Sequence, residues 1–193
     1  MLFAGGGPPT VPQNKPREGG RINVKKEDKK IEYNSRKEFT LSILIAALYA
    51  VLTVLLGSIS FSALFQIRVS DALIPLSYNR RIGRAAVYGT ALGAMISNIF
   101  SFYGPYDLLL GVLANFFASY AAYMFQERKG IMWKVLATVL SFTVVVFFIG
   151  FLLFNLIIGM PLESALLGIS LGSFVSIVLL GMALLVALEK IYR

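Results

Sequence analysis

Two opposite charges stand three residues apart inside an otherwise apolar stretch of the chain, residues 63–78. They are Arg68 and Asp71, and this spacing would place both side chains on one face of a membrane helix, close enough to pair. A charge at the centre of a bilayer costs roughly 2.5–3.5 kcal/mol on insertion scales. The pair therefore indicates a polar binding site that opens from one side of a membrane. The alternative is a structural arginine that extends to the membrane surface beside a local acid.

A second set of polar side chains forms a stripe on a predicted helix. Five residues recur at four-residue intervals and so share one helix face: Asp107, Gly111, Asn115, Ser119 and Tyr123. A buried stripe of this kind faces protein or water rather than lipid. Hydrogen bonding between helices, worth about 0.6 kcal/mol per contact, accounts for Ser119. We assign Asp107 and Asn115 to the binding site.

The composition excludes several classes of function. Of the 193 residues, 57% are hydrophobic, against roughly 45–50% in a soluble domain, which predicts an integral membrane protein. The sequence has no Cys and no His, so it lacks a thiol nucleophile, the commonest general base and the commonest metal ligand. It also has no phosphate-binding loop motif. We therefore expect no catalytic residues, no metal, no cofactor and no nucleic-acid partner.

Apolar stretches predict an all-α bundle of six membrane-spanning helices. They cover about residues 39–57, 63–78, 85–102, 107–124, 135–158 and 164–188. With both termini in the cytoplasm, every one of the 18 Lys and Arg residues except Arg68 falls on the inner side, as the positive-inside rule requires. This topology places the candidate site residues in the outer half of the bundle: Gln66, Arg68, Asp71, Asn98, Tyr103 and Asp107.

The region before the first span differs in composition from the rest. Residues 1–36 are rich in Gly, Pro and charged residues, which predicts a disordered or loosely ordered basic cytoplasmic tail ahead of a membrane domain at 37–193. Ser35 and Glu38 have the spacing of a helix-capping box. In the first span Ala46 and Ala50 form a face of small residues, on which another helix of this protein or of a second protein could pack. A longer ridge of small residues predicts close packing in the third span: Ala85, Gly89, Gly93, Ser97 and Ser101.

The residues around the charge pair resemble a family signature. The run Gln66-Ile67-Arg68-Val69-Ser70-Asp71-Ala72-Leu73 is similar to the Q-[FI]-R-[IV]-S-[ED]-A-L signature of the QueT family, the substrate-binding S-components of energy-coupling-factor transporters. The resemblance continues through Gly89, Gly93, residues 98–101, 103–105, Asp107, Gly111 and Ala114. Two positions differ, since Asp71 stands where Glu is usual and Gly172-Ser173 where many members carry Gly-Glu.

The resemblance implies a ligand and partners. The implied ligand is a queuosine precursor, a 7-substituted deazaguanine. Asp71 could accept hydrogen bonds from its amide and amino groups, and Arg68 could donate to its exocyclic carbonyl, as arginine does to guanine in DNA. Asp107 or the ring of Tyr103 could face a cationic substituent. The implied partners are a membrane-embedded T-component, which would dock on Ala46 and Ala50, and two cytoplasmic ATPase subunits.

Three other functions remain open on the sequence. The first is an S-component for a different vitamin, which a panel of ligands in thermal-shift assays would separate. The second is a self-contained proton-coupled transporter in which Asp71 or Asp107 titrates, and uptake by this chain alone would favour it. The third is a membrane enzyme that uses its few carboxylates, which the absence of His and Cys argues against.

Overall fold

The regular elements are all helices in the part of the chain that the computed structural model describes. It describes the backbone of residues 18–62 and 66–191, and the side chains from residue 34 onwards within those ranges. In chain order the elements are α1 (Glu18–Leu55), α2 (Gly57–Ser60), a 3-10 helix (Val69–Tyr78), α3 (Gly83–Asn98), α4 (Pro105–Tyr123), α5 (Ile131–Val145), a first π-helical segment (Val146–Ile157), α6 (Leu162–Ser173), a second π-helical segment (Phe174–Gly181) and α7 (Met182–Ile191).

The chain divides into two compact units, Met1–Ser35 and Arg36–Arg193. Residues 1–17 of the predicted tail lie outside the described residues, so loose order there stays a prediction. From Glu18 to Leu55 the backbone is α-helical. The predicted helix start at Ser35 is wrong, because α1 begins earlier and continues through that position without a break.

Within the described residues, three helices are long and apolar enough to cross a membrane. They comprise 22, 27 and 30 residues and run over Asn34–Leu55, Ile131–Ile157 and Leu162–Ile191. They match the first, fifth and sixth predicted spans, and the last two become this long because α-helical and π-helical turns follow one another without a break. The predicted third and fourth spans form shorter helices of 16 and 19 residues, rich in small or polar side chains. A count of six spans stays a prediction.

Where an α-helix is predicted for the second span, the structure has a 3-10 helix of ten residues, Val69–Tyr78. Its residues are almost all buried, so it lies inside the bundle and has little surface for lipid. Pro75 stands within it and cannot donate the backbone hydrogen bond of a regular α-helix. The segment connects the two clusters of the core, since Leu73 and Leu76 belong to one and Ile74 to the other.

Two glycines allow α1 and α3 to approach closely, as the ridge of small residues predicts. A Cβ at Gly89 would lie 2.7 Å from the Cβ of Ile45, and one at Gly93 would lie 2.6 Å from the Cβ of Tyr49. On the facing side of α1, Ala46 and Ala50 are only 5% and 8% exposed. These alanines therefore pack within the chain, which agrees with the intramolecular alternative. Docking of a second protein on them stays a prediction.

We expect Gly93→Ala to lower the thermal stability of the protein in detergent. The added methyl group would collide with the Cβ of Tyr49 and with the backbone oxygen of Ala46, 2.9 Å away, and such overpacking typically costs about 1–3 kcal/mol. Gly57→Ala is the matched control, because its new methyl would meet only the ring of Phe61, at an ordinary 3.8 Å. Equal unfolding temperatures for the two variants would contradict the close α1–α3 contact.

Candidate functional site

The arginine at the start of the 3-10 helix is buried among polar partners. Arg68 is 4% exposed and precedes the first turn, where its backbone oxygen accepts the hydrogen bond of the Asp71 N–H at 2.9 Å. Within the described residues its ion pair is with Asp107, with 3.9 Å between Nη2 and Oδ2, and not with Asp71 as the spacing predicts. Its guanidinium carbon also lies 5.6 Å from the ring centroid of Phe61, a distance at which a cation and a π-system attract.

Asp71 is held instead by a tyrosine from α1. The hydroxyl of Tyr49 donates to Oδ1 of Asp71 at 2.5 Å, and both residues are buried. One turn along α1, the hydroxyls of Thr53 and Ser70 lie 2.6 Å apart. These contacts join α1 to the first turn of the 3-10 helix. The close approach at Gly93 brings α3 against the same Tyr49.

Asp107 connects the arginine to α3 and α4. Its side chain is fully buried and accepts a short hydrogen bond from the hydroxyl of Ser101 through Oδ2. Its backbone oxygen accepts a hydrogen bond from Nδ2 of Asn98 at 3.0 Å. The carboxylate is thus fixed at the N-terminal turn of α4, where a negative charge is favourable.

A small cavity lies beside this cluster. Its lining combines four polar residues from the predicted site with a mostly apolar wall from the last long helices: Gln66, Arg68, Asp71, Asn115, Val145, Ile149, Ile169 and Ser173. Three atoms of the polar residues are buried without a hydrogen-bond partner among the described residues. They are Nε2 of Gln66, Nη2 of Arg68 and Oδ1 of Asn115.

The cavity is very small in this structure. The space that it offers to water is about 10 Å3, close to the roughly 10–15 Å3 that one water molecule needs. A cavity that holds benzene is about 150 Å3. This arrangement of the helices therefore leaves no room for a base-sized ligand in the cavity. The polar groups are in place, but the space for a ligand is filled by side chains of the surrounding helices.

The seven predicted site residues divide into two groups. Gln66, Arg68, Asp71 and Asn115 line the cavity. The other three stand around it without lining it: Asp107 contacts Arg68, Asn98 contacts Asp107, and the half-buried Tyr103 donates from its hydroxyl to the Phe61 oxygen at 3.2 Å. The Tyr103 ring packs edge-on against Phe154, with 4.9 Å between centroids.

Five residues at the site were not predicted. Tyr49 had a detectable signal, because it is the one hydroxyl-bearing residue between the small residues Ala46 and Ala50. Ser173 also carried a signal, since it follows Gly172, whose missing side chain lets the backbone of Gln66 pass in direct contact. Val145, Ile149 and Ile169 are ordinary apolar residues of long helices, and nothing in the sequence distinguishes them from their lipid-facing neighbours.

The cluster is suited to binding rather than to bond chemistry. Gln66 and Arg68 offer hydrogen-bond donors, Asn115 offers an acceptor, and Asp71 retains a second carboxylate oxygen. Among the described residues, no group of three or more carboxylates is arranged to hold a metal ion. A ligand that fits would therefore present an acceptor and a donor side by side.

We expect Tyr49→Phe to destabilise the protein. The change removes one hydroxyl group and leaves a buried oxygen of Asp71 without its donor, and an unpaired buried acceptor costs about 1–3 kcal/mol or more when charged. Tyr120→Phe is the control, because the Tyr120 side chain is 46% exposed and its stacking on Phe116 survives the change. Thermal unfolding in detergent compares the two. An unfolding temperature for Tyr49→Phe as high as for Tyr120→Phe would contradict the Tyr49–Asp71 bond.

Comparison with known families identifies a match over most of the chain. No curated protein and no solved structure matches the chain significantly. The model of the family described as QueT transporter matches residues 39–190, which include all the described helices from the membrane-crossing part of α1 to the last turn of α7. The resemblance seen in the signature around Arg68 is thereby confirmed over most of the chain. The protein is a multi-pass membrane protein and belongs to the QueT transporter family.

Proposed function

We propose that this protein is the substrate-binding S-component of an energy-coupling-factor transporter and that it binds a deazaguanine precursor of queuosine. The observation that carries the proposal is the set of donors and acceptors on Gln66, Arg68 and Asn115 that have no hydrogen-bond partner among the described residues, around one buried cavity. Buried polar groups without partners are rare in folded proteins. Three of the seven such side-chain atoms among the described residues belong to the lining of this one cavity. In a member of a transporter family, they support a site whose partner is the transported molecule.

The pattern of donors and acceptors fits one edge of a guanine-like base. The exocyclic carbonyl would accept from Nη2 of Arg68 and Nε2 of Gln66. A ring N–H would donate to Oδ1 of Asn115, and the amino group to the oxygen of Asp71 that Tyr49 does not occupy. A ligand that lacks one of these groups leaves a buried partner unpaired, which is the basis of strong discrimination between similar molecules.

Energy for uphill transport would come from other subunits. The sequence has no phosphate-binding loop for ATP, so the proposal includes a membrane-embedded T-component and two cytoplasmic ATPases. On this proposal the chain captures the ligand, changes orientation against the T-component and performs no reaction on it. Six membrane passages with both termini in the cytoplasm complete the proposal, supported by the location of all Lys and Arg residues except Arg68 on one predicted side.

Ligand entry requires one wall of the cavity to move, and the apolar wall is the less firmly held. The polar wall is fixed by the Tyr49–Asp71 bond and the Arg68–Asp107 pair. The apolar wall includes side chains near the junction where α5 continues as the first π-helical segment, such as Val145 and Ile149. π-Helical turns are rare and occur mostly at functional sites. A change in these turns would shift the apolar side chains and leave the polar ones in place.

We expect Asn115→Ala to weaken binding of the deazaguanine precursor about tenfold, in line with a lost hydrogen bond to a neutral group, and Arg68→Ala to abolish it. Isothermal titration calorimetry on detergent-purified protein measures both. Asn155→Ala is the matched control, because Asn155 is the same residue type in a membrane-crossing helix, bonds to the Met160 oxygen and does not line the cavity.

Thermal unfolding of each variant without ligand separates loss of binding from loss of folding, which matters for Arg68→Ala because it leaves Asp107 buried without its cation. Wild-type affinity in a folded Asn115→Ala protein would refute the site. If another vitamin binds and the three variants affect its binding as described, the proposed site is correct and the proposed ligand is not.

We expect Ile149→Ala to speed ligand association, because it removes bulk from the wall that must move. Ile177→Ala is the control, since Ile177 is fully buried in the second π-helical segment but does not line the cavity. Both changes should destabilise the protein by about 2–5 kcal/mol, and only the first should change the association rate in stopped-flow measurements. Equal rates in the two variants would contradict movement of the apolar wall.

A further inference from the structure

A cleft of about 400 Å3 lies at the end of two membrane-crossing helices and shares no residue with the cavity beside Arg68. It forms where the end of the 3-10 helix, the turn between α4 and α5, and α7 meet. Lys134 lies in the first turn of the helix Ile131–Ile157, and Glu189 lies in the last turn of the helix Leu162–Ile191. The cleft is therefore at the level where these helices leave the bilayer.

The lining of the cleft is strongly basic. Five cationic side chains and one carboxylate line it: Arg80, Arg81, Arg128, Lys129, Lys134 and Glu189. Glu189 is already paired with Lys134, and Arg80 is paired with Glu127. No carboxylate of the described residues forms an ion pair with Arg128 or Lys129, and both side chains are exposed. Arg128 and Lys129 thus give the cleft positive charge that no carboxylate of the described residues neutralises.

Arg128 and the turn that carries it are held in place by the structure around them. The buried hydroxyl of Tyr78 donates to the backbone oxygen of Arg128 and so ties the α4–α5 turn to the 3-10 helix. The guanidinium carbon of Arg128 lies 5.1 Å from the ring centroid of Trp133. Gly130 then turns the chain into α5 with φ +114°, a conformation that other residues rarely adopt. An excess of cations on one membrane side accounts for the charge, but it does not require a concave and braced arrangement of this kind.

We propose that this cleft binds a phosphate-bearing ligand, and its position at the membrane surface favours the headgroup of an anionic phospholipid over free phosphate. Its volume is within the roughly 300–1,000 Å3 of ordinary ligand pockets. Basic pockets between helices at the membrane surface attract anionic headgroups, and tryptophan side chains such as Trp133 are enriched at that level. The proposal is independent of the transported ligand.

The protein carries its own probe for this site. Trp133 is the only tryptophan in the sequence and packs under Arg128, so its fluorescence should report occupation of the cleft. The full-length chain in a neutral detergent would be titrated with short-chain phosphatidylglycerol, with phosphatidylcholine of the same chain length, and with inorganic phosphate. We expect phosphatidylglycerol to change the emission in a saturable way and phosphatidylcholine to leave it unchanged.

Two charge-removing variants make the test specific. Lys129→Gln should weaken the binding of phosphatidylglycerol about fivefold, the effect of one basic residue near an anionic membrane surface. Lys190→Gln removes an equal charge from the exposed surface of α7 outside the cleft and should leave the affinity within about twofold of wild type. If millimolar inorganic phosphate competes with phosphatidylglycerol, the cleft is still a phosphate site, and its ligand is free phosphate rather than a lipid headgroup. Equal binding of the two lipids, equal effects of the two variants, or no response to any of the three probes would overturn the proposal.

Discussion

The structure depends on keeping one guanidinium inside a bundle of apolar helices. Arg68 is 4% exposed, and a buried charge is tolerated only when opposite charges and hydrogen bonds compensate for the water that it has lost. Asp107 supplies the ion pair from α4, and Phe61 supplies a ring face beside the guanidinium. Asp71, the second acid of the same stretch, is fixed by Tyr49 from α1. The contacts that compensate these two buried charges therefore join elements that are distant in the chain.

Small residues make that central position geometrically available. The backbone of Gln66 runs in contact with Gly172, and a Cβ at Gly181 would lie 2.8 Å from Cγ of Pro75. A larger residue at either glycine would push the charged segment away from α6 and the second π-helical segment. On the other side of the charged segment, Gly93 likewise permits a close approach. Its missing side chain leaves space for Tyr49, whose hydroxyl bonds to Asp71. The glycines and the charges thus depend on each other, since close packing is what removes Arg68 from solvent.

The sequence predicted which residues lie near each other better than it predicted which of them form pairs. The long spans and the convergence of Arg68 with Asp107 follow from apolar runs and isolated polar residues, which are visible without coordinates. The pairing of Arg68 with Asp71 was wrong because the spacing rule assumes that both belong to one helix. Arg68 precedes the helix, with φ −98° and ψ 89°, so the rule does not apply. The π-helical turns and the small volume of the cavity depend on side-chain packing across helices, for which a single sequence has no local signal.

The unpaired atoms around the cavity give the strongest argument that the site exists for a ligand. Each buried polar group without a partner costs about 1–3 kcal/mol, so a purely structural network would be expected to satisfy them or to replace them with apolar side chains. Nη2 of Arg68, Nε2 of Gln66 and Oδ1 of Asn115 have no hydrogen-bond partner among the described residues. The nearest acid to Nη2, its ion-pair partner Asp107, is 3.9 Å away, which is beyond hydrogen-bond distance. A molecule that pairs with all three recovers that free energy on binding, whereas a molecule that pairs with one or two recovers only part. Affinity and selectivity would then have the same physical origin.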